Sequence, residues 1–321
     1  MNYKPIIIVA GEPNSIFLEI FFKSIKKNKF KSPLILIASY KLVNLQMKKL
    51  KFKKAIRLLN ISDIKDNKLN NKTINLIDVK LNQNKAFERI SSKSKNYIEK
   101  SFNIALNILN SGLSYKLING PISKVKFLNN KYPGVTEYIA NKSKIKKLAM
   151  LIYNKNLSVC PLTTHIPLKK ITRHITRNNI CEKVELLNNF FLNYKKIKPK
   201  IGVISLNPHC ESTDKFNEDD KILKPAIRYL SKLGYQVSGP LPADTAFIKN
   251  NRKNFDVFLG MYHDQVLTPI KTIYEYDAIN ITIGLPFIRI TPDHGPNETM
   301  LGKNKSNPLS LIKAIKFLDK N

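Results

Sequence analysis

Residues 201–209 read IGVISLNPH, a short apolar run that ends in an asparagine, a proline and a histidine. A run of this length, bounded by turn-forming residues, predicts a buried β-strand with the histidine just beyond its carboxyl end. Residues 158–165 and 255–263 repeat the arrangement, since a histidine follows each apolar run within three residues. These three segments are the basis for the fold and the candidate site predicted below.

Short apolar runs alternate with longer amphipathic stretches along the whole chain. Because strands that are buried on both faces read as continuous apolar runs, this alternation predicts an α/β fold: mostly parallel sheets with helices on both faces. The expected strands are Ile6–Ala10, Leu34–Ala38, Ile74–Val79, Ala149–Tyr153, Ser158–Leu162, Ile201–Leu206, Phe255–Met261 and Ile279–Ile283. The expected helices are Ser15–Lys27, Tyr97–Leu109, Cys181–Phe191, Lys221–Leu233 and Pro308–Leu318.

The net charge is the unusual feature of the composition. The 321 residues include 55 Lys and Arg against 23 Asp and Glu, a formal charge of +32. The densest basic runs, 48–54 and 142–147, lack the glycines and the series of stacking aromatics of a nucleic-acid platform. We therefore interpret the charge as solvated surface that would attract an anionic substrate, and we expect no nucleic-acid partner. Nucleic-acid binding is the alternative interpretation.

The cysteines and the apolar runs indicate in which cellular compartment the protein is found. Cys160, Cys181 and Cys210 form no C-x-x-C pair, which suits a reducing environment. No apolar run approaches the roughly 18 residues that a membrane span needs, and the first one is too short for a signal core. We expect a soluble cytoplasmic protein without a membrane partner.

Three of the five histidines form the candidate site. His165, His209 and His263 each follow a predicted strand, and the carboxyl ends of parallel strands lie on one edge of a sheet, where α/β folds bind ligands. Three imidazoles on one rim could hold a divalent metal and leave positions open for a substrate. The alternative is that each histidine is an ordinary loop residue.

Other polar residues surround these histidines in apolar, proline-rich sequence. Asp244 lies in a proline-rich turn that enters a helix and could instead merely cap that helix, and Asp264 adjoins His263. Lys271, Asn280 and Arg289 suggest a pocket for a doubly anionic small molecule, although Arg289 could instead form a structural ion pair.

Several longer motifs resemble the 4-hydroxythreonine-4-phosphate dehydrogenase family. They occur in the family's order, from Gly11 to the C-terminal helix, and together they are far more specific than any one alone. The motifs are GPISK (120–124), TEY (136–138), THIPL (164–168), LNPH (206–209), residues 239–247, MYHDQ (261–265), GLPFIR (284–289) and DHG (293–295).

The resemblance implies roles for individual residues. The implied metal ligands are His165, His209 and His263; the implied substrate contacts are Thr136, Lys271, Asn280 and Arg289; the implied cofactor neighbours are His294 and Gly295. Asp244, Asp264 and Lys271 are the candidates for the catalytic base, and the sequence does not choose among them.

The resemblance also implies an architecture. Such proteins are similar to isocitrate and isopropylmalate dehydrogenases: two α/β domains with the active site in the interdomain cleft, and a homodimer with a shared site. They bind dinucleotide without a G-x-G-x-x-G motif, and this chain contains none. The implied domains are 1–125 with 285–321, on the cofactor side, and 126–284, with the metal histidines and the expected dimer interface.

The implied activity is a step of pyridoxal phosphate biosynthesis. It is oxidation, with decarboxylation, of 4-phosphohydroxy-L-threonine to 3-amino-2-oxopropyl phosphate. The cofactors would be NAD or NADP and one divalent metal of the Zn, Co or Mg class, which would act as a Lewis acid on the substrate hydroxyl.

This sequence departs from the family pattern in three places. Val135 stands where the family has a substrate-contacting histidine; the first loop, 11–19, lacks two glycines; and residues 210–214 replace further glycines. A related dehydrogenase for another phosphorylated hydroxy acid, such as threonate or erythronate phosphate, is therefore an alternative. A metal-dependent hydrolase is a second one, because three histidines and an aspartate also suit an activated water.

Overall fold

The computed structural model describes residues 3–65, 69–128, 131–132, 134–214, 216–275, 277–292 and 294–320. Its strands are β1 (Ile6–Val9), β2 (Leu34–Ala38), β3 (Ile56–Leu58), β4 (Ile74–Asp78), β5 (Lys116–Asn119), β6 (Ala149–Tyr153), β7 (Ser158–Thr163), β8 (Ile201–Ile204), β9 (Val237–Leu241), β10 (Val257–Tyr262), β11 (Ile279–Ile283) and β12 (Ile288–Thr291). Its α-helices are α1 (Phe17–Lys27), α2 (Tyr40–Lys49), α3 (Lys95–Asn110), α4 (Val135–Lys142), α5 (Arg177–Phe190), α6 (Lys224–Lys232), α7 (Ala243–Ala246), α8 (Lys249–Arg252), α9 (His263–Tyr274) and α10 (Leu309–Lys320). Within those residues, no helix has both the length and the apolar character to cross a bilayer.

The predicted α/β fold class is confirmed, and every strand and helix expected from the sequence is present with bounds shifted by a few residues. The sequence missed β3, β5, β9 and β12 and the helices α2, α4, α7, α8 and α9. Most of the missed elements have five residues or fewer, and two of the missed elements contain a residue that is unusual in such an element. β5 begins with a buried lysine, Lys116, and α9 contains Pro269, which lacks the amide hydrogen of a regular helix residue.

The chain forms two compact units, and the first comprises Met1–Lys144 with Leu285–Asn321. Its strands lie in the order β3-β4-β2-β1-β5-β12, and each neighbouring pair is parallel. In the centre, Ile8 of β1 lies between Leu36 of β2 and Ile118 of β5. All three side chains are fully buried, as expected for a parallel sheet that is covered on both faces.

Helices cover both faces of the first unit's sheet. Since successive side chains of a strand point to opposite faces, Ile7 and Val9 contact one layer and Ile6 and Ile8 the other. Ile7 and Val9 belong to a core cluster with Phe102 of α3. On the other face, α10 packs against β1, β5 and β12 and against α1.

The second unit comprises Ile145–Gly284. Its strands lie in the order β11-β6-β7-β10-β8-β9. The pairs from β7 to β9 are parallel, whereas β6 runs antiparallel to both β7 and β11. Val266 and Ile270 of α9 pack with Val159 and Phe258 in the main apolar cluster on this unit's sheet.

The described residues from 126 to 144, which the resemblance grouped with residues 126–284, belong to the first unit. The physical reason is aromatic packing by α4. The ring of Tyr138 lies 5.8 Å from that of Phe102 and 5.2 Å from that of Phe127, both in edge-to-face geometry. These contacts place α4 on the core of the first unit.

Candidate functional site

The three candidate metal-binding histidines follow three adjacent strands of the second unit. β7 pairs with β10 and β10 with β8, all parallel, so the chain leaves these strands on the same edge of the sheet. His165 follows β7, His263 is the first residue of α9 after β10, and His209 lies in the turn after β8. Parallel pairing therefore brings residues from distant parts of the sequence to one rim.

His165 and His263 lie side by side on this rim. Their ring centroids are 6.0 Å apart, with an interplanar angle of 38°. The hydroxyl of Thr163 donates to the carbonyl of Met261 (2.7 Å), which ties together the strand ends that carry the two histidines. With metal–nitrogen bonds of about 2.0–2.1 Å, two imidazoles at this separation can serve one ion.

Asp264 orients the ring of His263. Its Oδ1 lies 2.6 Å from Nδ1 of His263, and the carboxylate is 78% exposed. If the neutral imidazole donates from Nδ1 to the carboxylate, its Nε2 carries the lone pair that a metal requires. Asp264, predicted as a catalytic residue, thus contacts a predicted metal ligand.

His209 is held in a different way. It lies in the turn Pro208–Cys210 with a φ of 55°, and Cys210 follows with a φ of 64°. This left-handed conformation is uncommon for residues other than glycine, so the turn needs external support. The support comes from Asp219, whose buried carboxylate accepts hydrogen bonds from the backbone N–H groups of Leu206 and Asn207, each at 2.9 Å.

The predicted cluster of three histidines is not assembled as a compact group. Within the described ranges, no three His, Cys, Asp or Glu side chains lie close enough to hold one metal ion. His165 and His263 form a pair, while His209 stands on the same rim in its own turn. The described geometry therefore brings two of the three predicted imidazoles together and leaves the third apart.

Gln265 links the strand ends that lead to two of the histidines, and the sequence analysis gave it no role although it belongs to the MYHDQ motif. Its side-chain oxygen accepts from the N–H of Met261 (2.7 Å), and its side-chain nitrogen donates to the carbonyl of Ser205 (2.7 Å). Asp219 was also missed. A polar residue directly beside the MYHD string, and an acidic run shortly after LNPH, were the available signals.

The other predicted residues of the second unit lie on separate elements. Asp244 is exposed on α7, which packs beside the turn of His209. Lys271 is half-buried on α9, eight residues after His263, which is about 12 Å along a helix. Burial lowers the pKa of Lys271. Asn280 is half-buried in β11, opposite Ile152 of β6.

The first unit brings Thr136 and Arg289 into contact. Arg289, on β12, is only 3% exposed. Its Nη1 donates to Oγ1 of Thr136 (2.8 Å), and its Nε donates to Oδ1 of Asn119 (2.7 Å) at the end of β5. Burial lowers the pKa of Arg289 to about 10, and the charge of Glu137 opposes the shift, so the guanidinium stays charged at neutral pH.

This arrangement is a candidate anion site. The two hydrogen bonds described above go to neutral oxygens, the charge of Glu137 also acts on the guanidinium, and a guanidinium can form charge-assisted bonds with an anion. Asn119 was missed by the sequence analysis. Its position at the carboxyl end of a strand, directly before the GPISK motif, was the available signal.

His294 lies at the carboxyl edge of the first unit, whereas Asp293 lies outside the described residues. Nδ1 of His294 is 2.9 Å from the carbonyl oxygen of Gly295, and its ring centroid is 6.5 Å from that of Phe17. Its Nε2 is buried and has no hydrogen-bond partner in the described part of the chain. Apart from the chain neighbours of Gly295, no atom of the described residues lies within 4 Å of where a Cβ would be, so a ligand could approach its backbone.

The first loop packs against the loop of His294, since the N–H of Ile16 donates to the carbonyl of Pro296 (3.1 Å). Gly11 has a φ of +74°, and a Cβ there would lie 2.5 Å from the carbonyl oxygen of Pro121. Glu12 is 2% exposed and accepts from the Ser94 hydroxyl (3.2 Å). Burial raises the pKa of Glu12 to about 6.

Fold and site together define a class: α/β proteins with polar candidate-site residues at the carboxyl ends of parallel strands. Comparison with known proteins narrows the class to one family. The family model described as "Pyridoxal phosphate biosynthetic protein PdxA" matches residues 29–318. The chain belongs to this family, and the resemblance identified from the sequence is confirmed.

Individual relatives match over nearly their full length. A 4-hydroxythreonine-4-phosphate dehydrogenase from Sulfurihydrogenibium sp. is 36% identical over 321 residues, which cover 97% of this chain and 96% of the relative. A D-threonate 4-phosphate dehydrogenase from Salmonella typhimurium is 29% identical, with coverage of 99% and 98%. The crystal structure of 4-hydroxythreonine-4-phosphate dehydrogenase from Klebsiella pneumoniae is similar at a TM-score of 0.85, with 26% identity and 98% coverage of both chains.

Proposed function

We propose that this protein is an NAD- or NADP-dependent dehydrogenase that oxidises 4-phosphohydroxy-L-threonine in pyridoxal phosphate biosynthesis. The product would be 3-amino-2-oxopropyl phosphate, formed with loss of carbon dioxide. Membership of the family and the match over nearly the full chain to a 4-hydroxythreonine-4-phosphate dehydrogenase support the reaction class. The observation that carries the proposal is the buried pair of Arg289 and Thr136, which suits an anionic substrate.

Arg289 and Thr136 would bind an anionic group of the substrate. The guanidinium is already oriented by Asn119 and Thr136, so little side-chain freedom remains to be lost when the anion binds. Lys271 and Asn280 are proposed as further substrate contacts on the second unit, where each side chain can form a hydrogen bond with the substrate.

His165, His209 and His263 would hold the divalent metal, of the Zn, Co or Mg class. When bound, the metal would supply Lewis-acid polarisation of the substrate's oxygen. Asp264 would favour the tautomer of His263 that donates from Nδ1, and Asp219 would position the turn of His209. The paired rings of His165 and His263 support the proposal. His209 lies apart from them and would join them when the metal ion binds.

Lys271 is the proposed general base for the substrate hydroxyl. Burial lowers its pKa, and this direction favours the free amine that a general base requires. Asp264 is engaged by His263, and Asp244 is exposed on α7. We therefore assign Asp264 to orientation of the ring and leave Asp244 as a neighbour of the His209 turn.

His294 and Gly295 would contact the nicotinamide cofactor. The buried Nε2 of His294 needs a donor, and the open space beside Gly295 would let a polar ligand reach the backbone. Burial lowers the pKa of His294, so the ring is neutral at pH 7 and can accept a hydrogen bond. We further propose a cytoplasmic homodimer, which light scattering of the purified protein would test.

Oxidation of D-threonate 4-phosphate is the second candidate function, and Val135 is the observation that favours it. Val135 begins α4, directly before Thr136, and it packs on the apolar cluster of the first unit. A valine offers no hydrogen bond to a substrate at a position where the resemblance implied a histidine. Relatives of both activities match this chain.

A turnover assay separates these candidates. The purified protein would be given each phosphorylated acid with NAD or NADP and a divalent metal, and reduced nicotinamide would be followed by absorbance. The proposal predicts the higher kcat/KM for 4-phosphohydroxy-L-threonine. A higher value for D-threonate 4-phosphate would select the second candidate, and product formed without nucleotide would indicate a hydrolase and reject both.

A further inference from the structure

A cavity of about 520 Å³ lies at the amino ends of the first unit's strands. Its walls come from the last turns of α1, from residues 28–30, and from the segments that lead into β2, β3 and β4. The volume falls in the range of small-molecule sites, roughly 300–1,000 Å³. The family assignment gives this cavity no role in the proposed reaction.

The floor of the cavity is apolar. Phe21, Leu34 and Ile74 line it and are buried, and Ile25 and Phe30 are half-buried beside them. Apolar surface that stays accessible inside a cavity favours a ligand with an apolar body, since binding removes that surface from water. Two phenylalanine rings suit a flat body in particular.

The rim of the cavity is positively charged. Lys26, Lys29, Lys54 and Lys72 line it, and no Asp or Glu occurs among its described lining residues. None of the four lysines forms an ion pair with a carboxylate in the portion of the chain that the structure describes. Four uncompensated positive charges around one opening favour an anion, and a dianion most.

Asn71 holds the wall in place. Its Nδ2 donates to the carbonyls of Phe30 (3.0 Å) and Ser32 (2.9 Å), and its Oδ1 accepts from the N–H of Leu34 (2.9 Å). The three bonds fix the loop after α1 against the start of β2. The cavity is therefore formed before a ligand binds, which lowers the entropy cost of ordering its side chains and loops on binding.

A second cavity, of about 490 Å³, provides a contrast within the same unit. It is lined by Lys23 as well as Lys26, but Glu19 also lines it, and Lys23 forms an ion pair with Glu19 at 2.9 Å. Lys23 also donates to the carbonyls of Asn304 and Ser306. Its charge is thus partly satisfied by the protein, unlike the charges around the first cavity.

The first cavity is remote from the residues proposed for turnover in this unit. α1 begins at Phe17, whose ring lies beside that of His294, and its other end forms the cavity wall. Eleven helical residues span about 16 Å, so the two places are at opposite ends of the helix. A ligand in the cavity would not compete directly with one at His294.

We propose that this cavity is a second anion-binding site, which takes a small organic dianion with a flat apolar body, chemically an aromatic phosphate monoester. The apolar floor binds the ring and the four lysines bind the phosphate. The site is separate from the residues proposed for turnover in this unit.

Calorimetric titration of the full-length protein with phenyl phosphate tests this proposal. Binding should persist in R289Q, whose candidate anion site is disabled. It should weaken by at least about tenfold in the double variant K54Q/K72Q, which removes two rim charges. The matched control K232Q/K253Q removes two exposed lysines from the second unit and should change the affinity less than about twofold.

Two further comparisons keep the result decisive. Inorganic phosphate should bind at least about tenfold more weakly than phenyl phosphate, because it cannot use the apolar floor. Equal affinity for the two probes, unchanged affinity in K54Q/K72Q, or equal losses in the test and control variants would each overturn the proposal. Turnover of K54Q/K72Q should match that of the unaltered protein.

Discussion

The arginine site of the first unit and the histidine rim of the second differ in how complete they are. Arg289 is buried and already hydrogen-bonded to Thr136 and Asn119, whereas the histidines are more open and only His165 and His263 are paired. A buried cation without partners is costly, so the fold has to supply them. A solvated imidazole has no such need. The comparison teaches that the fold fixes Arg289 against Thr136 and Asn119, whereas it brings together only two of the three proposed metal ligands.

The largest effect should come from breaking the preformed site with R289Q. We expect kcat/KM to fall at least about 100-fold, roughly 2.7 kcal/mol, because a charged bond to the substrate is lost and Thr136 and Asn119 lose their donor. The matched control is R57Q, an exposed arginine on β3, which should retain normal kinetics. Equal kinetics in both variants would show that Arg289 is only structural.

The next largest effect should come from replacing Asp219, which supports the turn of His209. D219A leaves the N–H groups of Leu206 and Asn207 without their acceptor, so we expect a loss of about 2–3 kcal/mol in the free energy of unfolding in urea. Metal affinity should fall as well, because the turn of His209 loses its anchor. D220N changes the neighbouring exposed carboxylate and should leave the urea midpoint nearly unchanged. Similar midpoints for the two variants would remove the assigned role of Asp219.

The cost of burying the carboxylate of Glu12 in the first unit can be measured from the pH dependence of the free energy of unfolding. Its pKa is raised from 4.5 to about 6, so burial disfavours the ionised form. The associated stability is fully present below pH 4.5 and is lost as the pH rises through about 6, a change of about 2 kcal/mol. The variant E12Q stays neutral, and its unfolding free energy relative to the unaltered protein should therefore rise by that amount between pH 4.5 and pH 8. A difference that does not vary with pH would contradict the burial argument, and E88Q, at an exposed position, is the control.

The smallest of these effects should come from the orientation of His263. D264N replaces the carboxylate next to Nδ1 with a weaker hydrogen-bond acceptor, and we expect about a tenfold loss of metal affinity without loss of fold. Titration with Co²⁺, followed by its visible absorption, measures the change. An affinity equal to that of the unaltered protein would mean that the carboxylate does not orient a ligand.

The sequence predicted the architecture well because buried parallel strands have a strong apolar signal, as in residues 6–10 and 201–206. It also predicted that polar residues after such strands would share an edge, and His165 and His263 lie together there. It could not identify Asp219 or Asn119, whose importance arises from hydrogen bonds to residues that are not adjacent in the chain. Nor could it place residues 126–144, because the packing of Tyr138 on Phe102 is a tertiary property.

The central claim is that imidazoles from three strand ends bind one metal ion that the proposed dehydrogenase requires. The most direct measurement is of Co²⁺ binding and NAD-dependent turnover, in the metal-stripped protein and in H209A. This variant removes the imidazole that lies apart from the other two. The account predicts one Co²⁺ per chain with restored turnover in the unaltered protein, and a large loss of both in a folded H209A. Full turnover in the metal-stripped protein, or unchanged Co²⁺ affinity in H209A, would contradict it.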